Sequence, residues 1–269
     1  MNICFIGGGN MATAMIAGML KRGFAAGRMH VVELNAENRR HLHNEYSVLA
    51  LPDMTSGVVG SEVVVLAVKP QQLREVAQEL GPLLTGQLVI SVAAGIRAAD
   101  LARWLGTRNV VRAMPNTPAL IRKGVTGVYA LPEVSEEARH DAQTILAAVG
   151  GTLWLDDEAM MDAVTAVSGS GPAYVFYFIE ALQEAGQALG LKAEDARYLA
   201  MQTFLGASRL ADSSHEEPSQ LRARVTSKNG TTERALLNME EHQVKVLIKQ
   251  AVRAAADRAA EMGDELGQD

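Results

Sequence analysis

The sequence has one cysteine, Cys4, among its 269 residues, so no disulfide can form within the chain. That suits a reducing compartment, and it leaves stability to packing rather than to covalent links. Aromatic residues make up only 4% of the chain, although 48% of residues are apolar. The core must therefore be mostly Ala, Val, Leu, Ile and Met, a composition that favours closely packed helices. Positive charge is not in excess. The 25 Lys and Arg face 31 Asp and Glu, and the net charge of −6 argues against a nucleic-acid surface. No apolar run is long enough to span a bilayer. The opening Met1-Asn2-Ile3-Cys4-Phe5-Ile6 lacks the basic start and the cleavage site of a signal peptide. The cytoplasm is the expected location, with neither membrane nor nucleic acid as partner. The six histidines form no ligand motif, and no metal is expected.

What is present falls into two halves. Short apolar runs at residues 3–6, 29–33, 62–68, 88–92 and 110–114 predict strands, with weaker ones at 125–130 and 152–155. Helical patterns at 10–22 and 135–149 lie between them. The run Glu62-Val63-Val64-Val65-Leu66-Ala67-Val68 is nearly all aliphatic, as a strand covered on both faces requires. Such alternation predicts an α/β fold, a Rossmann-like, doubly wound and mainly parallel sheet, over residues 1–155. From residue 156 to 269 the strands stop, and residues 160–189, 193–211, 219–225 and 232–262 all read as helix. This second half predicts an all-α domain. Val175, Phe176, Phe178 and Ile179 leave one of its helices little polar surface, so a homodimer of interlocking helices is expected.

The first strand runs into Gly7-Gly8-Gly9-Asn10-Met11-Ala12, which fits G-x-G-x-x-A. Gly7 permits the tight turn, Gly9 lets backbone approach a pyrophosphate, and Ala12 lets the helix pack on the sheet. The new helix directs free N–H groups at the phosphates. Alone the motif is weak; after a strand and before a helix it predicts a dinucleotide site for NADH or NADPH. Glu33 ends the second strand, where an acid holds the ribose 2′-hydroxyl, with Leu34 and Asn35 beside it. A carboxylate there favours NADH, whereas Asn35, Arg39 and Arg40 just beyond could meet a 2′-phosphate; the cofactor preference stays open. Later strand ends rim the same crevice: Ala67-Val68-Lys69-Pro70, then Ala93-Ala94-Gly95, then Asn116 in Met114-Pro115-Asn116-Thr117-Pro118. For Lys69 the role of a catalytic acid competes with a cofactor-side or a surface position. For Asn116 a rigid turn competes with a hydrogen bond to cofactor or substrate.

The second half carries Val225-Thr226-Ser227-Lys228-Asn229-Gly230-Thr231-Thr232-Glu233-Arg234-Ala235-Leu236. Hydroxyls and Asn-Gly crowd together before a long helix, where free N–H groups would hold a carboxylate. This segment resembles the V-T-S-P-G-G-T-T-x-x-A-L signature of pyrroline-5-carboxylate reductases. Ser168-Gly169-Ser170-Gly171-Pro172-Ala173-Tyr174 resembles the second hallmark of that family, and the glycine turn, residues 67–70 and residues 114–118 match it in the same order. The resemblance implies a Rossmann domain joined to a helical dimerisation domain. It implies reduction of L-Δ1-pyrroline-5-carboxylate, a cyclic imino acid, to L-proline with NADPH or NADH. It implies dimers, which in many members assemble into decamers. Ser227, Gly230, Thr231 and Thr232 would then surround the substrate, the Thr232 hydroxyl would lie near the ring nitrogen, and Glu158 would supply an acid nearby. Two departures stand out. Lys228-Asn229 replaces the usual Pro-Gly, although Asn tolerates the left-handed turn. Arg224 stands where some members place an Asn, and that role is not carried over. The rival readings are a β-hydroxyacid dehydrogenase of related layout, whose helical half contributes a lysine, and a non-enzymatic dinucleotide-binding regulator.

Overall fold

The structure, a computed structural model, describes residues 1–268. Eight strands form one sheet: β1 (Ile3–Ile6), β2 (Met29–Val32), β3 (Leu49–Leu51), β4 (Val63–Leu66), β5 (Leu88–Ser91), β6 (Val110–Met114), β7 (Gly124–Ala130) and β8 (Gly150–Trp154). Their spatial order is β3-β2-β1-β4-β5-β6-β7-β8. Every pair is parallel except β6 with β7. The sheet is thus mainly parallel and doubly wound, as the alternation predicts. Between and beside the strands run α1 (Asn10–Lys21), α2 (Ala36–Tyr46), α3 (Met54–Val58), α4 (Pro70–Leu80), α5 (Ala98–Leu105) and α6 (Glu136–Leu146).

Local chemistry sets several boundaries. Asn35 caps α2 by accepting from the backbone N–H of Glu37 and Asn38, Asp53 caps α3, and Ser135 caps α6. Pro70 opens α4 at the one helical position where its missing N–H is harmless. Strands β1, β4 and β5 are buried at every residue. Their aliphatic side chains and those of the flanking helices form one continuous core from Ile3 to Val149.

The strand expected at 62–68 ends at Leu66, which frees Ala67, Val68 and Lys69 as a loop. Strand β3 was not anticipated. It is three residues long at the sheet edge, with Leu49 exposed, so its apolar signal is weak.

After β8 come α7 (Met160–Val164), α8 (Gly171–Ala188), α9 (Ala193–Asp212), α10 (Pro218–Arg224), α11 (Thr231–Glu241) and α12 (Val244–Leu266). The helix expected over 160–189 is interrupted by a π-helical turn at Thr165–Gly169, closed by the Ser170 N–H donating to the Thr165 carbonyl at 2.8 Å. The helix expected over 232–262 is broken after His242, because Gln243 adopts a left-handed φ of 54°.

By compactness the chain divides into two units: residues 1–170 together with 255–269, and residues 171–254. The division differs from the one expected at residue 155/156, and the contacts explain why. Val164 packs against Gly127 of β7, and Met114 of β6 packs against Gly169, so the stretch up to Ser170 stays with the sheet. In the second unit α8 and α9 pair closely around Gly186, where an added Cβ would lie 3.1 Å from the Cβ of Ala196. Within 171–254 only Ala196 and Ala200 are buried. Among the described residues no helix is long and apolar enough to cross a membrane.

Candidate active site

The sheet order reverses between β1 and β4, and the crevice outside their carboxyl ends is where a doubly wound sheet binds ligands. The two loops there are tied together: the Ala67 N–H donates to the Ile6 carbonyl at 2.9 Å, and the Gly7 N–H to the Val32 carbonyl at 2.8 Å. Gly7 has φ 96°, and a Cβ on it would lie 2.8 Å from the Ala67 carbonyl oxygen. Both the turn and the close approach therefore demand glycine. At Gly9 an added Cβ would meet nothing within 4 Å, so it would project into open space. Gly9 is also the N-cap of α1, and no side chain caps that helix. Its first N–H groups are left to an anion, and the residues present fit a dinucleotide pyrophosphate. Ala12 is fully buried beneath them.

A cavity of about 530 Å³ opens at this crevice. Its walls gather Gly7, Gly9, Glu33, Leu34, Asn35, Ala67, Val68 and Lys69, all expected at the cofactor from sequence. They do not include Asn10, Met11, Ala12, Pro70, Ala93, Ala94, Gly95 or Asn116. Asn10 and Met11 lie in the first turn of α1, and Pro70 is the first residue of α4. Ala93, Ala94 and Gly95 follow β5, where Gly95 turns with φ 75°.

The carboxylate of Glu33 is held from both sides. Its Oε1 accepts the Asn35 N–H at 2.8 Å, and its Oε2 accepts the Gly8 N–H at 3.2 Å and the Asn38 side-chain amide at 2.9 Å. The acid therefore fastens the end of β2 to the glycine turn. Arg39, considered for a phosphate, instead donates through Nη1 to the carbonyls of Glu33 and Leu34, both at 2.8 Å.

Asn116 and Glu158 both have partners within the protein. The Asn116 side-chain amide donates to the Ser168 carbonyl at 3.1 Å, and its oxygen accepts the Val125 N–H at 3.0 Å. It fastens the start of β7 to the π-helical turn. Glu158 Oε1 accepts the Ala98 N–H, at the start of α5, at 2.7 Å and Arg112 Nη1 at 2.9 Å. Arg112 is only 5% exposed, so the pair sits inside the first unit and anchors α5 to β6. Removing one partner would strand a buried charge. Sequence reasoning missed Arg112, although a lone charge within Val110-Val111-Arg112-Ala113-Met114 was the available signal.

In the second unit, residues 227–230 form a tight turn closed by the Gly230 N–H on the Ser227 carbonyl at 3.0 Å. Asn229 takes φ 59°, so the left-handed turn survives with Asn in place of glycine. Its N–H donates to Glu233 Oε2 at 2.6 Å. Gly230 is the N-cap of α11, again without a side-chain cap. Thr231 is exposed and Thr232 half-buried at that start. Ser227, Gly230, Thr231 and Thr232 are thus together, as expected, with backbone N–H groups left for an acceptor.

An uncapped glycine turn at the reversal point of a parallel sheet, followed by a helical unit, defines a dinucleotide-binding protein of Rossmann-like layout. Residues 2–95 match a family model described as "NADP oxidoreductase coenzyme F420-dependent", and residues 158–262 match "Pyrroline-5-carboxylate reductase dimerisation". A pyrroline-5-carboxylate reductase of Pseudomonas aeruginosa is 48% identical over 99% of this chain and 98% of its own length. The solved pyrroline-5-carboxylate reductase of Coxiella burnetii is 41% identical, with a TM-score of 0.93 over 97% of this chain and 98% of the other. That of Plasmodium falciparum, solved with NADP bound, is 27% identical, with a TM-score of 0.87 over the same shares. The chain belongs to the pyrroline-5-carboxylate reductase family.

Proposed function

We propose that the protein reduces L-Δ1-pyrroline-5-carboxylate to L-proline, the last step of proline synthesis, with NADPH or NADH as reductant. The observation that carries this reading is the uncapped start of α11, where Thr231 and Thr232 offer N–H groups and hydroxyls beside Gly230, in a chain whose other unit carries an uncapped glycine turn. Gly7, Gly9, Asn10, Met11 and Ala12 would hold the pyrophosphate. Glu33, Leu34 and Asn35 would lie at the adenosine ribose. Ala67, Val68, Lys69, Pro70, Ala93, Ala94, Gly95 and Asn116 would border the nicotinamide half.

Reduction of a cyclic imine adds a hydride to carbon and a proton to nitrogen. A reduced nicotinamide dinucleotide, its phosphates held by the glycine turn, would supply the hydride. The protein's task is then orientation and electrostatics rather than strong acid catalysis. The N–H groups of Thr231 and Thr232 fix the substrate carboxylate above the turn that Gly230 closes, Ser227 flanks it, and the Thr232 hydroxyl hydrogen-bonds the ring nitrogen. Glu158 supplies an acid near the substrate, its carboxylate held by the Ala98 N–H and Arg112.

The exposed apolar faces of the second unit support a homodimer, the building block of a decamer. The single buried cysteine suits the cytoplasm.

Thr232→Ala tests the site. Loss of one transition-state hydrogen bond lowers kcat/KM by about 10-fold or more, ~1.4 kcal/mol. A steady-state assay of the imine with each nicotinamide cofactor reads it. Unchanged kcat/KM in a folded, dimeric variant removes Thr232 from the mechanism.

A further inference from the structure

We propose that the last two turns of α12 are positioning elements for the cofactor: they hold the turn between β5 and α5, residues 92–97, in the shape that admits the nicotinamide. This inference rests on the dinucleotide reading of the crevice.

Val92 and Ile96 anchor the two sides of the turn in the core, but the bend between them has few supports of its own. The sheet ladder ends where the Val92 N–H donates to the Leu66 carbonyl at 3.1 Å. The Ala93 N–H then reaches only the Ser91 hydroxyl, at 3.3 Å. Ala93, Ala94 and Gly95 bring almost no side-chain surface, and Gly95 bends with φ 75°. A bend made of small residues is cheap to deform unless something presses on it.

The end of α12 supplies that pressure. An added Cβ on Gly95 would lie 3.1 Å from Leu266 Cδ1 and 3.3 Å from Met262 Cε, so both side chains rest directly on the bend. Gly263 brings the helix backbone equally close to Arg97, where an added Cβ would lie 3.1 Å from Nε. Arg97 Nη2 donates to Asp264 Oδ1 at 2.6 Å. The helix end is held in turn: Arg103 donates to the Gly267 carbonyl at 2.9 Å and Arg74 to the Gln268 carbonyl at 3.3 Å. Cations on the last carbonyls of a helix satisfy orphan acceptors and complement its dipole. Both partners of the Arg97–Asp264 pair are solvent-exposed, so the ion pair alone contributes little, and the apolar contact of Met262 and Leu266 with Gly95 is the decisive part.

The experiment compares wild type, a chain truncated after Glu261, Met262→Ala/Leu266→Ala, and the volume-conserving Met262→Leu/Leu266→Met. Amide hydrogen exchange over residues 92–98 is followed without dinucleotide, and the Kd for NADH is read by fluorescence titration. The wild type must bind NADH or NADPH and reduce the imine, and if it binds only NADPH, that cofactor replaces NADH in the titration. Failure there overturns the functional reading rather than this inference. With the wild type active, the alanine pair is expected to speed exchange of residues 92–98. If that leaves one molecule in ten competent, the NADH Kd rises about 10-fold. The imine KM is expected to stay unchanged, and the Leu/Met swap to restore both signals. The truncation should show a larger effect; if it fails to fold, the alanine pair decides. Exchange and NADH Kd within twofold of wild type in the alanine pair would overturn the inference.

Discussion

The two compact units bury their apolar residues in opposite degree. In the first, Phe5, Met15, Ile16, Leu66, Leu73 and Ile90 are fully buried within a single continuous core. In the second, Phe176 and Tyr177 on α8 and Tyr198 on α9 stand 65%, 69% and 66% exposed in the single chain. Large apolar faces left uncovered on a single chain mark surfaces suited to a partner. The first unit closes its core within one chain; the second leaves its apolar faces exposed there, as a surface completed by the proposed dimer would. That contrast separates the chemistry of cofactor binding from the chemistry of assembly, and it can be tested unit by unit.

The largest effect is expected in the first unit. Leu66→Ala removes a fully buried side chain from the central strand β4 and should cost about 2–5 kcal/mol in urea unfolding. The loss should be the same at every protein concentration. A concentration-dependent loss would break the distinction between the units. Next comes Phe176→Asp in the second unit, which should weaken the dimer about 100-fold, ~2.7 kcal/mol, by sedimentation. NADH binding to the dissociated chain should survive; an unchanged mass at micromolar concentration counts against α8 as the contact face. Gly7→Ala should cost about 1–3 kcal/mol of backbone strain, and NADH affinity should fall with the loss of the turn. Dimer mass should stay constant.

The smallest effect concerns Cys4. Burial pushes its thiol up from 9.0 to about 12. The neutral thiol's contribution to stability is therefore fully present below 9.0 and is lost as pH rises toward about 12. Native protein should resist alkylation at pH 8, while urea-unfolded protein reacts. Rapid labelling of the native protein would show that the first unit is looser than its core suggests.

Much of the first unit was legible because its signals are local. A strand, a glycine turn and a helix follow each other within Ile3 to Lys21, and each residue's task depends on neighbours a few positions away. The turn at 227–230 was legible for the same reason, down to the left-handed Asn229. What sequence left unread is the distant partners. Asn116 meets the carbonyl of Ser168, and Glu158 meets Arg112, 52 and 46 residues apart. A polar residue free to bind ligand and one already engaged look alike in sequence, since only the fold decides which acceptor is near. The break at Gln243 is similarly opaque, because glutamine is a good helix former and carries no sign of a left-handed turn.

Because α12 starts in one unit and ends in the other, the first unit is assembled from two separate stretches of sequence. A gene cut after codon 170 would encode a sheet without its closing segment, and a synthetic peptide spanning 255–268 is the natural complement to supply in trans. The two ends of the chain also differ as attachment points. An affinity tag before Met1 disturbs only a solvent-facing contact with Glu62 at 3.4 Å. A tag after the last residue follows directly on the carbonyls that Arg74 and Arg103 grip. Purification handles and fluorescent fusions therefore belong at the amino end.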